Sequence, residues 1–489
     1  MPNNLIMSAD LAKQIAHNTF FQVGSKLIGT MLGVVTIAVM TRHLGTEGFG
    51  QYTTIMGYLQ IFGIMADFGL SITATQMLSH PHLPTLKIMN NLFSLRIISS
   101  IIFFLPAPLL LAFFPYSPEV KMGILINTLS FLCLTIFPIF LSVFQKYLAT
   151  FRFAISEITN RVILLTLVLA SIFYGWGILG IVWAMVAGNA VQMILAYRWS
   201  RKYIPFTWEI DWNVWKQILS QSWPVGVSIF FNLLYFKADT LILSVVADPH
   251  DVGIYGASYK VLEVLVALPY LFSGLILPIL TQNWASGNHA FFRTVFQKSF
   301  DAMTLVTLPM VAGGILLAKP IIGVVAGPEF EESAFILQIL LVAAGVIYMC
   351  NLFSHAIVAI GEQKSVITSY IVTSIFALVT YTYFIPRYTT LAAAILTIAS
   401  ELMISYLVIR IVYKKTNFFP NLHMWLPSIL GSLGMCGAIL SWQYFISSEL
   451  GLLNLLVQLG LGISVYFTLL LYQGMMSKKM IVDLIRVKK

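Results

Sequence analysis

Long apolar stretches alternate with short polar ones along almost the whole chain of 489 residues. A helix needs about 20 apolar residues to cross the hydrocarbon core of a bilayer. Fourteen stretches approach this length, and they predict an all-α polytopic membrane protein with fourteen transmembrane helices. The predicted spans are 15–41, 50–75, 88–112, 119–143, 157–174, 177–198, 217–245, 252–280, 298–318, 333–359, 364–385, 390–412, 424–446 and 451–473.

The composition supports this assignment. Of all residues 58% are hydrophobic and 10% are charged, whereas soluble proteins contain about 25% charged residues. The charges are too few to cover a soluble enzyme or a nucleic-acid-binding domain, and the chain is too apolar to be disordered. Residues 1–14 contain charges and no apolar core, so no cleaved signal peptide is expected. Cys133, Cys350 and Cys436 lie in apolar stretches and are expected to be small core residues.

Basic residues are distributed unevenly between the two sides of the predicted bundle. An even number of spans places both termini on the same side. About 20 of the 28 Lys and Arg residues fall on that side, about four fall on the other, and the rest lie within spans. Because positive charges are retained in the cytoplasm, both termini are expected to be cytoplasmic and the protein is expected in the plasma membrane.

A short motif recurs in the two halves of the chain. Gly50-Gln-Tyr52 and Gly253-Ile-Tyr255 each follow the first span of their half, at an offset of 203. This favours two six-helix lobes with the substrate between them, and chance similarity is the alternative. The predicted divisions are a cytoplasmic N-terminus (1–14), an N-lobe (15–198), an interfacial linker helix (199–216), a C-lobe (217–413), two further spans (414–473) and a basic cytoplasmic tail (474–489).

Three tryptophans mark the predicted linker helix. Trp208, Trp212 and Trp215 are spaced i, i+4 and i+7, so a helix would align them on one face. Such a stripe is typical of a helix at the headgroup level of a membrane. An anchor between the lobes is expected, and a gating or partner site is the alternative.

Ionisable residues within spans are costly in lipid and are therefore candidates for function. Lys26 lies near the midplane of the first predicted span, on a polar stripe that includes Asn18, and is the first candidate for substrate contact. Its alternative role is an ion pair with a carboxylate such as Glu401. Asp67 and Arg96 each lie about 12 Å from the cytoplasmic side on consecutive antiparallel spans, which predicts that they pair.

Four more charges lie in the outer parts of spans 7 and 8. Lys260 and Glu263 share one helix face, whereas Lys237 and Asp239 point about 200° apart around their helix. These charges either neutralise one another, or a lysine binds an anionic substrate while a carboxylate binds protons or cations. Glu401 is alone at mid-depth of span 12, where it is either protonated and hydrogen-bonded or couples transport to an ion.

Few residues in the loops are suited to covalent chemistry. His80-x-His82 has the spacing of metal ligands but lacks a third ligand, so no metal is expected. No Gly-rich phosphate loop is present, so ATP is not expected to drive this chain directly. The sequence therefore predicts neither an enzyme nor a bound cofactor.

Several motifs resemble those of the polysaccharide biosynthesis flippases, a family within the multidrug/oligosaccharidyl-lipid/polysaccharide exporter superfamily. The similarity covers about residues 15–415, and the first motif is fairly specific for the family. In one departure, Gln76 stands where relatives often have an arginine. The matching segments are RHLGTEGFGQY (42–52), DFGL (67–70), QKYLATFRF (145–153), the stretch 239–255, and GPEF (327–330) leading to LQIL (337–340).

The resemblance implies a flippase that moves undecaprenyl-diphosphate-linked sugars from the cytoplasmic to the outer leaflet. Twelve core helices would surround a cavity with basic residues, and the lobes would rock to alternate access. The implied driving force is H⁺, Na⁺ or the membrane potential, and the implied partners are glycan polymerases or glycosyltransferases of the same pathway. The basic candidates for this cavity are Lys26, Arg42, Arg96, Lys237 and Lys260, and the candidates for coupling or ion pairing are Asp67, Asp239, Glu263 and Glu401.

Three other functions remain open at this stage. A multidrug or cation antiporter of the same superfamily would use acidic cavity residues, which Asp67, Glu263 and Glu401 supply. A flippase for the lipid-linked peptidoglycan precursor would share the fourteen-helix plan. A membrane-embedded polymerase or ligase would need a large outer loop, and the longest one, at about 319–332, is short.

Overall fold

The computed structural model describes residues 9–79, 84–446 and 451–474, and the side chains of all of these except 9–20, 23 and 79. Within these ranges the regular secondary structure is helical and contains no strand. His80 and His82, the side chain of Asn18 and residues 475–489 of the predicted tail lie outside the described set.

Fifteen α-helices are present in the described ranges. Two short 3₁₀ turns accompany them, at Leu111–Phe113 and Pro328–Phe330. The helices are α1 (Ala9–Asp67), α2 (Leu70–Ser79), α3 (Thr85–Phe104), α4 (Pro106–Leu110), α5 (Pro118–Ile136), α6 (Pro138–Lys146), α7 (Thr150–Phe173), α8 (Gly177–Ser200), α9 (Trp212–Val246), α10 (Pro249–Ala285), α11 (His289–Val325), α12 (Ser333–Ala359), α13 (Gln363–Thr416), α14 (Trp425–Phe445) and α15 (Leu452–Tyr472).

Twelve helical segments of the described chain are long and apolar enough to cross a membrane, which confirms a multi-pass membrane protein. Two of them are interrupted. α1 has non-helical backbone at Gly45 (φ 64°, ψ −172°), and α13 has it at Thr389 (φ 43°, ψ −125°). The 59 residues of α1 would extend about 88 Å, far more than a hydrocarbon core of about 30 Å. Each interrupted helix therefore accounts for two predicted spans, in agreement with about fourteen crossings.

The chain divides into two compact units, Met1–Val252 and Gly253–Lys489, called unit 1 and unit 2. In unit 1, α1 contacts α3, α5, α7 and α9, and α7 packs on α8. In unit 2, α11 packs on α12 and α14, and α12 packs on α13. α9 groups with unit 1 although the sequence analysis assigned it to the C-lobe. The lobe boundaries themselves remain a prediction.

An extended segment holds the start of α9 against α3. Residues 204–211, which we call the strap, have no regular secondary structure. The Asn90 side chain donates to Thr207 Oγ1 at 2.6 Å and accepts from the Thr207 backbone N–H at 3.1 Å. Asn91 Oδ1 accepts from the backbone N–H of Asp211 at 2.7 Å. Side chains of α3 thus replace the partner strand that this extended backbone lacks.

The strap takes the place of the predicted linker helix at 199–216. Trp208 lies in the strap, and the helix begins only at Trp212. Asp211 caps this helix by accepting from the Asn213 N–H at 2.9 Å, and its carboxylate pairs with Lys87 at 2.6 Å. The hydrogen bond from Lys87, followed by that from Asn213, holds the pKa of Asp211 below its usual value. The periodic tryptophans indicated a longer helix because periodicity does not register the cap.

Candidate functional site

Arg96 lies in the middle of α3 with only 1% of its surface exposed. Its guanidinium pairs with Asp67, at 2.5 Å between Nη1 and Oδ1. It also donates hydrogen bonds to the backbone carbonyls of Asp67 and Thr135 and to the hydroxyl of Ser71. Ser71 in turn donates to the Asp67 carboxylate. The ion pair expected from equal depth is present in the structure, and it belongs to a larger network.

The carbonyl groups that Arg96 binds lie beside two helix breaks. The break between α1 and α2 occurs at Phe68 and Gly69, where φ is 35° and 77°. The break between α5 and α6 precedes Pro138, whose ring nitrogen has no hydrogen to donate. Helix breaks leave backbone carbonyls without their helical donors, and the guanidinium supplies replacements. This geometry fits a residue that stabilises the fold.

The break in the second span also forms a close contact with α9. A Cβ atom at Gly69 would lie 2.8 Å from the backbone nitrogen of Gly226. A Cβ atom at Gly226 would lie 2.5 Å from the carbonyl oxygen of Phe68. Both positions therefore require glycine, and this packing helps to place α9 in unit 1.

Lys26 has a different environment from Arg96. Its side chain is exposed, and it forms no hydrogen bond or ion pair with any residue that the structure describes. If the interruption at Gly45 marks the outer end of the first span, Lys26 lies about 28 Å along the helix from that end. A hydrocarbon core is about 30 Å thick, so a boundary at Gly45 would put Lys26 near the N-terminal side. The depth of Lys26, expected near the midplane, remains a prediction.

Arg161 is a cation that the sequence analysis did not name as a candidate. It lies about 17 Å from either end of α7, in the middle of the helix. Its Nη1 lies 3.8 Å from the position that a Cβ would take at Gly33, and its Cγ lies 3.9 Å from that at Gly29. It is half-buried and forms no ion pair within the described chain, not even with Glu157 one turn earlier.

The predicted boundary of span 5 explains why Arg161 was missed. Hydropathy placed the start of this span at residue 157, which left Arg161 near an end. In the structure α7 begins at Thr150, which moves Arg161 to mid-helix. The small residues Gly29 and Gly33 on the first span were a usable signal, because glycines on one helix face leave room for a large neighbouring side chain.

A buried amide network fixes the rotation of α7. Asn160 donates to Asn189 Oδ1 at 2.9 Å and to Gln192 Oε1 at 2.6 Å, both on α8. Asn189 donates to Ser130 Oγ on α5 at 2.6 Å. A Cβ at Gly188 would lie 2.4 Å from Asn160 Oδ1, so a small residue there lets the network form. With Asn160 held toward α8, the next side chain, Arg161, points about 100° away, toward α1.

Lys26 and Arg161 therefore lie along the same face of the first span. Gly29 and Gly33 follow Lys26 by about one and two helical turns, and Arg161 packs against both of them. The axial distance from Lys26 to the level of Gly33 is about 10 Å. We call these two cations the basic strip. Two positive charges with no described counter-ion suit an anionic group better than a cation.

The other predicted basic residues have nearby acceptors. Lys260 pairs with Glu263 on the same helix, at 2.8 Å between Nζ and Oε2. Arg42 is exposed and donates to the backbone carbonyl of Ala38 at 2.9 Å. Lys260 and Glu263 therefore neutralise each other, which is one of the two interpretations that the sequence left open.

Lys237 and Asp239 are both buried within unit 1, at 8% and 1% exposure. The Lys237 ammonium lies 5.5 Å from the ring centroid of Phe236. Asp239 accepts hydrogen bonds from the backbone N–H and the hydroxyl of Thr240, at 2.5 and 3.2 Å. A role for these residues in binding or coupling remains a prediction.

Glu401 forms the second polar site, in unit 2. It is 5% exposed and lies near Tyr270 and Cys350. It makes no hydrogen bond or ion pair with another described residue. The side chains of Asn351 and Ser405 interact with those of Tyr270 and Cys350, respectively. A buried carboxylate that lacks a partner among the described residues is suited to bind a proton.

Comparisons with known proteins agree with this architecture. A family profile described as polysaccharide biosynthesis protein matches residues 15–284, and a MatE profile matches residues 224–384. No curated protein sequence matches the chain. Thirty solved chains share the fold.

Three of these structures illustrate the likeness. The lipid II flippase MurJ, in an inward closed conformation, is 16% identical, with a TM-score of 0.76 and coverage of 94% of this chain and 99% of that one. An inward-facing multidrug resistance MATE family transporter of the MOP superfamily is 13% identical, with a TM-score of 0.66 and coverage of 80% and 94%. A MOP superfamily transporter from Pyrococcus furiosus is 14% identical, with a TM-score of 0.59 and coverage of 83% and 96%.

At these identities the structural likeness establishes the fold and leaves the substrate open. The sequence profile is more informative, because its match at residues 15–284 extends over more than half of the chain. The chain belongs to the polysaccharide biosynthesis protein family.

Proposed function

We propose that this protein is a flippase that carries undecaprenyl-diphosphate-linked sugars or oligosaccharides from the cytoplasmic to the outer leaflet. The observation that carries this proposal is the basic strip of Lys26 and Arg161. Family membership and the fold shared with the lipid II flippase MurJ support it. The protein acts by alternating access in the plasma membrane, with both termini in the cytoplasm.

The physical argument begins with the diphosphate. A diphosphate linked to sugars cannot cross about 30 Å of hydrocarbon unaided, because its charges would lose their hydration. A lysine or arginine without a partner is itself costly in lipid, so the basic strip is expected to face a hydrated cavity. When a diphosphate binds the basic strip, its negative charges are compensated by the two cations, and the cations gain the partners that they lack. The lipid tail remains in the bilayer.

The two cations act at different depths. Lys26, which lies nearer the N-terminal side, meets the diphosphate first, and Arg161 receives it about 10 Å farther along the path. Arg161 offers a planar fork of donors that matches two phosphate oxygens, whereas Lys26 offers a point charge. Two successive contacts lower the free-energy barrier to crossing the membrane. Neither contact alone binds the diphosphate so tightly that its release becomes slow.

The membrane potential is a sufficient driving force in principle. Each charge that crosses a potential of 100 mV changes in free energy by about 2.3 kcal/mol. A diphosphate with about two negative charges is driven out of a negative cytoplasm by about 4–5 kcal/mol at that potential. Glu401 provides a second route, in which H⁺ or Na⁺ binds in unit 2 and biases the return of the empty carrier to its starting conformation. Glycosyltransferases or a glycan polymerase of the same pathway then act on either side of this step.

A second candidate function is the ion-coupled export of drugs or other cations. The MatE match at residues 224–384 and the buried Glu401 favour it. A flippase for the peptidoglycan precursor, as in the structural neighbour MurJ, is the third. The basic strip argues against a cationic substrate, because it would repel one.

Reconstitution into liposomes separates the three candidates. Purified protein is offered a fluorescent undecaprenyl-diphosphate oligosaccharide, lipid II or ethidium, and transbilayer movement is followed under an imposed potential. We expect movement of the diphosphate oligosaccharide, abolition by Lys26→Ala, and partial retention by Lys26→Arg at equal expression. Movement of lipid II alone, or of ethidium alone, would replace the proposal with the corresponding alternative.

A further inference from the structure

The attachments of α9 bear on which part of the chain flexes during transport. Two lobes of six helices each would assign α9 to the second lobe. In the structure α9 packs on α1, α2 and α3, which all belong to unit 1. The chain passes from unit 1 to unit 2 once, between Val252 and Gly253 near the start of α10.

The N-terminal end of α9 and the strap before it are bound to α3. Two asparagines and a lysine of α3 bind the strap, as described above. In addition, Ser94 Oγ accepts a hydrogen bond from the backbone N–H of Glu209 at 3.0 Å. Ile218 of α9 is fully buried in the same hydrophobic cluster as Leu92 of α3. The strap therefore cannot flex without breaking these bonds and exposing this cluster.

Nearer the middle of α9, the backbone of Gly226 lies against the break between α1 and α2. Cβ atoms built at Gly69 and at Gly226 would lie 2.8 and 2.5 Å from backbone atoms of the facing segment. Backbones that approach this closely leave no room for α9 to slide along the break without clashes.

The C-terminal third of α9 is attached to unit 1 as well. A Cβ atom at Gly57 of α1 would lie 3.4 Å from Thr240 Cγ2, which is an ordinary van der Waals contact. The hydroxyl groups of Tyr116 and Ser244 form a buried hydrogen bond at 2.9 Å. α9 is thus bound to unit 1 near both of its ends and in between.

The link between α9 and α10 has a different character from the strap. It consists of Ala247 and Asp248, which have no regular secondary structure. Ala247 is extended, with φ −113° and ψ 162°, and Asp248 is exposed. Hinges are usually a few residues at the ends of helices that absorb changes in backbone dihedral angles. This short link matches that description better than the strap does.

We propose that α9 moves with unit 1 when the protein changes conformation, and that the chain flexes at residues 247–252 instead of at the strap. Unit 1 then carries seven of the predicted spans, although the internal repeat suggests six. This inference rests on the proposed function, because alternating access supplies the motion.

A disulfide between α1 and α9 tests the proposal in liposomes. Gly57→Cys and Thr240→Cys are combined in a chain whose three native cysteines are replaced by serine. Flipping of undecaprenyl-diphosphate oligosaccharide is measured before and after oxidation. Because the added Cβ lies within contact distance of Thr240, a disulfide can form with little backbone movement. We expect similar rates in both states, whereas a tenfold or greater slowing that dithiothreitol reverses would overturn the proposal.

A matched pair controls for the effects of cysteines and oxidation. Ser100→Cys with Thr135→Cys joins α3 to α5 within unit 1, where the two hydroxyl oxygens lie 3.0 Å apart. This pair does not involve α9 and should also tolerate oxidation. Equal slowing of both pairs would overturn the proposal, because unit 1 would then not move as one body.

Distances between spin labels test the proposal independently of transport. The exposed Val246, at the end of α9, is labelled together with exposed Leu125 of unit 1 or exposed Phe335 of unit 2. Double electron–electron resonance is recorded with and without undecaprenyl diphosphate. We expect a narrow, constant distance from Val246 to Leu125 and a broad or shifted one to Phe335. A shift in the first pair, or constancy in both, would overturn the proposal, whereas absence of flipping by the wild type would contradict the proposed function instead.

Discussion

Arg96 and Arg161 both lie in unit 1, each about 17 Å along its own helix, yet their surroundings differ. Arg96 is fully buried and bonded to a carboxylate, a hydroxyl and two backbone carbonyls. Arg161 is half-buried against glycines, without an acceptor among the described residues. The depth of a charge in a membrane helix thus does not distinguish a structural role from a functional one. The two roles are distinguished by the number of hydrogen-bond acceptors that the fold supplies to the charge.

Removal of Arg96 should produce the largest loss of stability. Arg96→Ala leaves the Asp67 carboxylate and two backbone carbonyls without donors, which costs about 3–5 kcal/mol. We expect a strong fall in monodisperse protein and in Tm in detergent. Arg161→Ala, measured in parallel, should lower the free energy of unfolding by less than about 1 kcal/mol. Equal losses in the two variants would remove the distinction between them.

A smaller loss should follow from Asp67→Asn. The variant removes the negative charge, but Arg96 keeps its bonds to the carbonyls of Asp67 and Thr135. We expect a cost of about 1–3 kcal/mol, measured as the shift in Tm. Exchange of the two charges should restore stability only in part, because an aspartate at position 96 cannot donate to carbonyls. Full recovery of stability in the exchanged variant would show that Asp67 and Arg96 act as a simple ion pair and that the bonds to the carbonyls contribute little.

Asn160→Ala should have an intermediate effect on both stability and transport. Loss of the bonds to Asn189 and Gln192 costs about 1–2 kcal/mol, the range for hydrogen bonds between membrane helices. Because the network sets the rotation of α7, transport should also fall severalfold at equal protein level. Thr166→Ala, on the same helix and bonded only within it, is the matched control. Normal transport in Asn160→Ala would show that Arg161 needs no such positioning.

The ion pair in α10 should matter least. Lys260 and Glu263 are neighbours on one helix and are partly exposed, so Glu263→Gln should cost less than about 0.5 kcal/mol. We expect unchanged transport and a Tm within experimental error. A transport defect without loss of stability would move Lys260 and Glu263 from the structural class to the functional one.

The sequence predicted the membrane architecture because long apolar runs have few alternative folds. It also predicted the contact between Asp67 and Arg96, since opposite charges at equal depth on consecutive spans have a strong reason to meet. It could not predict the carbonyl partners of Arg96, because these depend on backbone breaks at Phe68 and Gly69 and before Pro138.

The misplacement of Arg161 and of the linker helix has a common cause. Hydropathy measures where a helix enters lipid, whereas helix ends are determined by caps and local hydrogen bonds. α7 begins seven residues before its apolar stretch, at Thr150, and α9 begins at the cap Asp211. The extended strap between α8 and α9 depends on side chains of α3, about 120 residues earlier, and no local pattern reports such partners.

The central claim is that the basic strip binds the diphosphate, and equilibrium binding tests it directly. Purified wild type, Lys26→Gln, Arg161→Gln and the exposed control Arg198→Gln are titrated with undecaprenyl diphosphate at two salt concentrations, and Tm is measured on the same samples. The account predicts at least tenfold weaker binding for each strip variant, a reduced salt dependence, and unchanged Tm and binding for Arg198→Gln. Wild-type affinity in the folded Arg161→Gln variant would contradict it.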